Sequence, residues 1–301
     1  MTAWAENPAV YLNGKLMRAN DARISPFDHG FLFGDGVFET VRAYGGRVFE
    51  SSAHFERLAH SAQVTDIDLP FEKDGWDAIL DEVVRANGIS DAILRVTISR
   101  GAGPALVGHS NGPPTVLVFP RPVPPRGPAD WERGITCALV DVRTRSHDHL
   151  NPEIKCLSYM SNVLALRQAR ERGADEAIML NGKGFVAEGS VSNVFGVWGG
   201  TLITPPEGDI LPGVTRAVVL ELARAGGVQV EEKPVAAGRL VAADELFITG
   251  TGWEVMPVTF LDGNQIGNGQ PGPVTRSLYA AYCRRIASEH GIEHWGGELE
   301  L

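Results

Sequence analysis

The chain has 301 residues, 44% hydrophobic and 21% charged, a composition that suits one large globular domain or two modest ones. A formal net charge of −10 argues against the basic face that nucleic-acid binding needs. No stretch approaches the roughly 18 to 20 uncharged apolar residues that cross a bilayer, so no membrane partner is expected.

Met1 to Pro8 has no basic segment followed by an apolar one, so no signal peptide is read. Cys137, Cys156 and Cys283 are odd in number and far apart, which fits neither a disulfide framework nor a metal-ligand cluster. The expected location is the cytoplasm.

In chain order, Tyr11 to Met17 reads as a strand broken by the turn signal Asn13-Gly14. The glycine-rich stretch Gly30 to Gly36 feeds Val37 to Tyr44, an apolar/polar alternation of strand type. Gly45-Gly46 turns the chain into the returning arm Arg47-Val48-Phe49. Ser51 or Ser52 is expected to cap a helix whose first turns carry His54, Phe55, Arg57 and Leu58. A second helix is expected over Trp76 to Ala86, then strands over Ala92 to Ser99 and Thr115 to Phe119.

Pro120 to Pro128 holds five prolines in nine residues, which excludes a helix or a central strand there. It is read as a linker at 121–130, between a small N-terminal domain at 1–120 and a larger C-terminal domain at 131–301. Beyond it, Gly134 to Val142 reads as a strand and Tyr159 to Arg172 as a helix stopped by Gly173. Hairpins follow around Asn181 to Gly184 and around Gly199-Gly200. Gly213 to Ala225 reads as a helix, Glu245 to Thr249 as a strand and Val274 to Glu289 as a closing helix. The mixture lacks a strict βαβ alternation, so the expected class is α+β in two domains.

Several residues have the right type for cofactor chemistry. Leu211 to Arg216 places Gly213, Val214 and Thr215 at a helix start, where free N–H groups and the helix dipole suit a phosphate; an ordinary helix start reads the same way. Thr249 to Gly252 is a small-residue turn that permits close backbone approach to a ligand. Arg57, three residues after His54 on one helix face, is a bidentate phosphate residue by type, although a helix-face arginine is more usually just solvated. Lys155, between Ile154 and Cys156, has the apolar neighbours that depress an amine and favour Schiff-base formation, although a snorkelling lysine fits the spacing equally. Glu188 follows a strand in a turn of small polar residues, where a carboxylate would either face solvent or pair with a ring nitrogen.

Taken together and in this order, these segments resemble the class IV aminotransferases, the fold-type IV pyridoxal-phosphate enzymes, over about Val10 to Ile286. The motifs are Asp28-His29-Gly30 with Phe33 to Glu39, His54 to Leu58, the Lys155 segment, Glu188-Gly189-Ser190 with Ser192-Asn193, Leu211 to Arg216, and Thr249 to Thr251 with Glu254-Val255 and Pro257-Val258. The resemblance implies an α+β fold, with a small N-terminal α/β domain, a larger C-terminal domain and a cofactor cleft between them. The implied cofactor is pyridoxal 5′-phosphate, held by Lys155 as a Schiff base. Glu188 would bond the pyridine nitrogen, and Arg57, Gly213, Val214, Thr215 and Thr251 would hold the phosphate. Tyr159 would bond the phenolic oxygen, with Ser192 and Asn193 also at the cofactor.

The nearest reading within the family is a branched-chain amino acid aminotransferase, passing an amino group from an L-amino acid to a 2-oxo acid such as 2-oxoglutarate. Phe33 and Phe38 would wall the side-chain pocket, with core packing as their other fate. Arg95 sits where those enzymes carry a pocket arginine, Thr251 and Gly252 would face the substrate carboxylate, and Trp253 would narrow the pocket or point into the core. A D-amino acid or R-amine transaminase, an aminodeoxychorismate lyase and a non-catalytic cofactor-binding homologue remain as alternatives. The carboxylate trap of the D-alanine enzymes is replaced by Ala105 and Val107, leaving Arg100 or Arg95 as substitutes. The family implies a homodimer, with 27–33 and 100–113 as contributing segments. No metal is expected, since His147-Asp148-His149 lacks a third ligand. The tail from Glu289 to Leu301 is left open between a partner contact and disorder.

Overall fold

A computed structural model describes residues 6–103, 112–146 and 148–298. It divides into two compact units, one of Met1–Pro124 with Ile154–Tyr159, the other of Pro125–Glu153 with Met160–Leu301.

The first unit is an antiparallel sheet of six strands in the order β2-β1-β6-β5-β3-β4. The strands are β1 (Ala9–Leu12), β2 (Lys15–Arg18), β3 (Gly36–Tyr44), β4 (Arg47–Val48), β5 (Asp91–Ser99) and β6 (Thr115–Arg121). Two-residue hairpins close β1–β2 and β3–β4 where the sequence predicts them. Asn13 and Gly14 stand at φ 48° and 88°, and Gly45 and Gly46 at 56° and 78°, the left-handed pair that matches strand twist. Helix α2 (Ser51–Val64) packs His54, Leu58, Ser61 and Ala62 toward β3. On α3 (Lys73–Asn87), Trp76, Ile79, Leu80, Val83 and Val84 form one apolar stripe against β1 and β6.

Three local expectations are corrected. Neither Ser51 nor Ser52 caps α2: Glu50 occupies the N-cap position, left-handed and without a side-chain cap bond, while Ser51 Oγ donates to Asp77 at 2.6 Å. Pro120 does lie in a strand, opposite Leu94. β1 pairs only with Leu117 and Val118, so the missing N–H falls where β6 has no second neighbour. Pro128 opens helix α4 (Pro128–Arg133) at its first position, where no N–H is needed.

In the second unit β9 (Val186–Gly189), β10 (Asn193–Trp198), β13 (Glu245–Gly250), β14 (Glu254–Leu261), β7 (Ile135–Arg143) and β8 (Glu176–Leu180) pair in a ring, because β9 also pairs with β10. β11 (Thr201–Thr204) and β12 (Val230–Glu232) extend it beyond β10, and β15 (Asn264–Gln265) flanks β14. Helix α5 (Met160–Glu171) covers β7 and β8 through small residues, Ala165 and Ala169 meeting Ala138, Ala177 and Met179. Helices α6 (Val214–Ala225) and α7 (Pro273–His290) pack on β13. Short helix α1 (His29–Phe33), capped by the Asp28 carboxylate, interrupts the glycine-rich stretch of the first unit.

Candidate active site

In the first unit the Lys155 segment lies against β3 through a single antiparallel bridge, Cys156 opposite Val37. Phe38 N–H donates to Lys155 O at 2.9 Å and Leu157 N–H to Gly36 O at 2.8 Å. Only glycine fits at position 36, since a Cβ there would fall 2.6 Å from Ile98 O and from Leu157 Cδ1. Lys155 N–H donates to Ser61 Oγ at 3.1 Å, and the residue is 9% exposed between buried Ile154 and Cys156. Its Nζ stands 4.5 Å from the centre of the Phe38 ring.

Three groups converge on that ring. Tyr159 meets it edge-on at 5.3 Å, and the Arg95 guanidinium lies 3.7 Å from its centre. Strand pairing produces this: Phe38 sits opposite Thr97 and Thr40 opposite Arg95, so a period of two puts all four on one face. Arg95 Nε donates to Thr97 Oγ1 at 3.3 Å, and burial lowers the Arg95 pKa below its ordinary value.

The next residue of β3, Glu39, is fully buried. It accepts from Arg57 Nε at 2.7 Å and Nη2 at 2.8 Å, and lies 2.8 Å from His54 Nδ1. Burial alone would raise its carboxyl, but Arg57 and His54 together hold it far below the ordinary range. Arg57 is thereby fixed in orientation. Arg100, proposed from sequence as a substitute carboxylate trap, is engaged by protein groups. Its fork holds Asp35 at 2.6 and 3.0 Å and the carbonyls of Thr65 and Asp66 at 2.8 and 2.7 Å. Phe33, on α1, is 45% exposed and touches His29 edge-on.

In the second unit three strand ends bring Glu188, Asn193 and Thr249 into one row: Asn193 pairs with Glu188 on one side and Thr249 on the other. Glu188 is in β9 rather than in the turn after it, because the following residues turn back to pair with it. Its Oε2 accepts from Leu211 N–H at 2.9 Å, while Asn193 Nδ2 donates to Leu211 O at 3.0 Å. The pair fixes the loop entering α6. Gly213 caps that helix with no side-chain bond to its first amides, and a Cβ there would fall 2.0 Å from Asn193 Oδ1. Val214 and Thr215 form the first turn, both buried.

Behind the Glu188–Asn193 turn, Glu176 Oε1 accepts from Ser190 N–H at 3.0 Å, from Ala177 N–H at 2.8 Å and from Ser190 Oγ. Burial raises the Glu176 pKa against the pull of those bonds. Asn162 Nδ2 holds Ser190 O at 2.8 Å. At the other end of the row, Trp253 N–H donates to Gly250 O at 3.0 Å, closing a turn in which Arg126 holds Gly252 O at 2.6 Å and lies 4.1 Å from the Trp253 ring centre.

Two buried hydroxyls in this row, Ser192 Oγ and Thr249 Oγ1, have no hydrogen-bond partner among the described residues. Such groups are costly unless a ligand engages them. With the uncapped start of α6 and an acid beside it, the donor set fits a phosphorylated heterocycle. Lys155, a buried amine, is of the type that condenses with a carbonyl group.

The fold and these groups define an enzyme that works through a bound carbonyl cofactor. The chain belongs to the class IV aminotransferases: the family model described as Amino-transferase class IV matches residues 36–261. A putative branched-chain-amino-acid aminotransferase of Methanocaldococcus jannaschii is 44% identical over 286 residues, covering 94% of this chain and 98% of that one. A D-alanine aminotransferase of Bacillus licheniformis is 36% identical over 282 residues, with 93% and 98% covered. The solved T.th. branched-chain amino acid aminotransferase with pyridoxamine 5′-phosphate superimposes at a TM-score of 0.89 and 30% identity, over 94% and 95% of the chains. The protein is a pyridoxal-phosphate-dependent aminotransferase of fold type IV, with the α+β architecture expected of it.

The positions of the missing D-alanine trap, Ala105 and Val107, and His147 lie outside the described residues. Sequence reasoning missed Glu176, Arg126 and the partners of Glu254. The signal available for the two acids was a carboxylate at the head of an otherwise apolar strand, Glu176-Ala177-Ile178-Met179 and Glu254-Val255-Met256.

Proposed function

We propose that the enzyme transfers the amino group of a branched-chain L-amino acid to a 2-oxo acid such as 2-oxoglutarate. The observation that carries this reading is the Phe38 ring, with the Lys155 amine 4.5 Å and the Arg95 guanidinium 3.7 Å from its centre. An apolar wall beside a buried cation suits a pocket that takes aliphatic side chains in one half-reaction and a second carboxylate in the other. The 44% identity to a relative named for branched-chain substrates supports it.

Pyridoxal phosphate, when bound, supplies the conjugated cation that delocalises the electron pair left at the substrate Cα. The chain's own groups do the rest. Lys155 Nζ holds the cofactor at rest, then removes the Cα proton and returns one, general base catalysis worth roughly 10²- to 10⁴-fold. Glu188 keeps the ring nitrogen protonated, and Tyr159 bonds the phenolic oxygen. Arg57, Val214, Thr215 and Thr251 are the residues assigned to phosphate oxygens, with Gly213 permitting close approach. Asn193 sets the loop that carries Gly213, and Ser192 offers its hydroxyl to the cofactor. The backbone of Thr251 and Gly252 receives the substrate carboxylate; Trp253, stacked by Arg126, borders that turn, and Phe33 and Phe38 border the side chain.

A homodimer in the cytoplasm completes the proposal. Phe27 and Phe31, 65% and 77% exposed, with Ile24, Leu32 and Phe33, form an apolar surface on the first unit that a second copy would cover. All three cysteines are buried and none forms a disulfide, as suits a reducing compartment.

Purified protein is expected to absorb near the visible edge and to give a borohydride-reducible adduct on Lys155, while Lys155→Ala gives neither and loses turnover. L-Leucine with 2-oxoglutarate should yield product. Turnover of D-alanine alone, or pyruvate release from aminodeoxychorismate without an oxo acid, would overturn the substrate assignment. Undiminished turnover by Lys155→Ala would overturn the mechanism.

A further inference from the structure

The turn joining β13 to β14 has an unusual residue at its exit. Gly250 pairs with Glu254 across a three-residue loop, and Trp253 N–H closes on Gly250 O at 3.0 Å. In such loops the third residue, here Trp253, is normally a left-handed glycine. The left-handed residue is instead Glu254, the first of β14, at φ 56°. An L side chain in that region is unfavourable unless its surroundings hold it there.

Those surroundings come from the C-terminal part of the chain. Tyr279 of α7 donates its hydroxyl to Glu254 Oε2 at 3.0 Å, and His294 Nε2 stands 3.4 Å from Glu254 Oε1. Gly296 N–H donates to His294 Nδ1 at 3.2 Å, which makes Nδ1 the acceptor and leaves the proton on Nε2, pointing at the carboxylate. Trp295 packs edge-on against Tyr279 at 5.5 Å, and Tyr279 stacks on Trp131 at 4.8 Å. Trp131 Nε1 in turn donates to Val255 O at 2.8 Å, just past the turn.

Cys283 also has its sulfur within 4.8 Å of the Glu254 and His294 ligand atoms, a grouping that could suggest a metal. The assigned tautomer argues otherwise, because a metal at Nε2 would displace the proton that Glu254 accepts. The tight seat of Gly296, where a Cβ would fall 2.6 Å from Cys283 Sγ, also leaves the cluster closely packed.

We propose that Tyr279 and His294 are positioning residues that act through Glu254 to preset the Thr251–Gly252 turn for the cofactor phosphate and the substrate carboxylate. The proposal rests on the assignment of that turn as a ligand site. The segment after α7, Trp295 included, then clamps the exit of the turn, so that the Thr251–Gly252 backbone is held in one conformation before any ligand arrives. Preorganised donors bind without first being ordered, so loosening the clamp should weaken binding more than chemistry.

The test compares wild type with His294→Ala, His294→Gln and Tyr279→Phe. Amide exchange at Thr251 and Gly252 is followed in the cofactor-free protein. Cofactor affinity is titrated with pyridoxal phosphate and with pyridoxal, and kcat and KM for the amino donor are measured at saturating cofactor. In His294→Ala and Tyr279→Phe the turn amides should exchange faster. KM should rise about tenfold, the loss expected for one hydrogen bond to a charged group, with kcat nearly unchanged. The advantage of pyridoxal phosphate over pyridoxal should shrink in parallel. His294→Gln, which keeps a donor at the Nε2 position, should recover most of the KM.

Unchanged turn exchange in His294→Ala would overturn the clamp and leave the ligand-site assignment standing. Faster exchange with unchanged KM and cofactor affinity would overturn that assignment, and the proposal with it. A wild-type enzyme that behaves like His294→Ala after chelator treatment would overturn the hydrogen-bond clamp in favour of a bound metal.

Discussion

Replacing Glu39 by glutamine tests whether Arg57 is held for phosphate by a buried charge. Glu39 is fully buried and engages two Arg57 nitrogens at 2.7 and 2.8 Å and His54 at 2.8 Å. Glutamine keeps one carbonyl oxygen but turns an amide N–H₂ toward partners that are themselves donors. With its carbonyl at the Oε2 position the glutamine keeps the bonds from Arg57 Nη2, His54 and the Thr40 N–H and loses the one from Arg57 Nε, at about 1.5 to 3 kcal/mol. Leaving the Arg57 charge without its buried counter-charge carries the loss toward the roughly 3 to 5 kcal/mol of a broken buried ion pair. Denaturant unfolding at neutral pH should show that loss, and pyridoxal phosphate affinity should fall while pyridoxal affinity does not.

The pH dependence supplies a second readout of the same substitution. The Glu39 carboxyl is held below its ordinary value of 4.5, so its stabilisation is present above that value and is lost as pH falls below it. His54, lowered by burial from 6.5, acts in the same direction, since only the unfolded state protonates readily as the pH drops. Wild type should thus lose stability steadily in acid, and Glu39→Gln should lack the part of the slope below 4.5. A variant less than about 1 kcal/mol weaker than wild type, with the same acid slope, would refute the reasoning.

Two further outcomes follow from other buried groups. Arg95→Gln should raise KM for 2-oxoglutarate about 10- to 100-fold, the range for one bond to a charged group, and leave the L-leucine half-reaction nearly intact; equal losses in both half-reactions would show that Arg95 only supports Phe38. Glu176 has its carboxyl raised above 4.5, so the folded state holds a proton that the unfolded state releases, and stability falls as pH climbs from that value toward the folded one. Glu176→Gln keeps an acceptor for Ser190 and removes this dependence, so unfolding measured from pH 4 to 8 should give a flatter profile and no loss at neutral pH.

The strands that carry Phe38 and Arg95 are legible because both faces of β3 and β5 obey a period of two, and the hairpins because Asn13-Gly14 and Gly45-Gly46 leave the chain few other conformations. Helix α1, five residues long, has too few turns to show a period, and α4 begins inside a proline cluster that argues against any element. Pro120 escapes the sequence for a reason of pairing: a proline is excluded from a strand flanked on both sides, and only the register shows that β1 stops short of it. Of the candidate site, the sequence offers Lys155, Arg57, Glu188 and the start of α6 as residue types in order. Of the polar side chains that hold those residues in place, Glu39 is readable from the sequence as a partner of Arg42 or Arg57, and the structure pairs it with Arg57; Glu176 and the partners of Glu254 are not readable.

Those holders share one property. Glu39, Glu176 and Glu254 are each 7% exposed or less, and each begins or interrupts an apolar strand run. A carboxylate in such a place must be paired, hydrogen-bonded or neutralised, because burying it alone would cost more than a domain's stability margin allows. The three do so differently: Glu39 with a cation, Glu176 with backbone and hydroxyl donors under a raised pKa, and Glu254 with a phenol and an imidazole. Each also touches or adjoins a segment assigned to the cofactor or substrate. Arg57 is bonded to Glu39, the Glu188–Asn193 turn hangs from Glu176, and the Thr251–Gly252 turn exits into Glu254. The acids that strand patterning treats as exceptions are thus the ones that fix the groups assigned to ligands, which is why an acid inside an apolar run is worth following to its partner before it is read as surface.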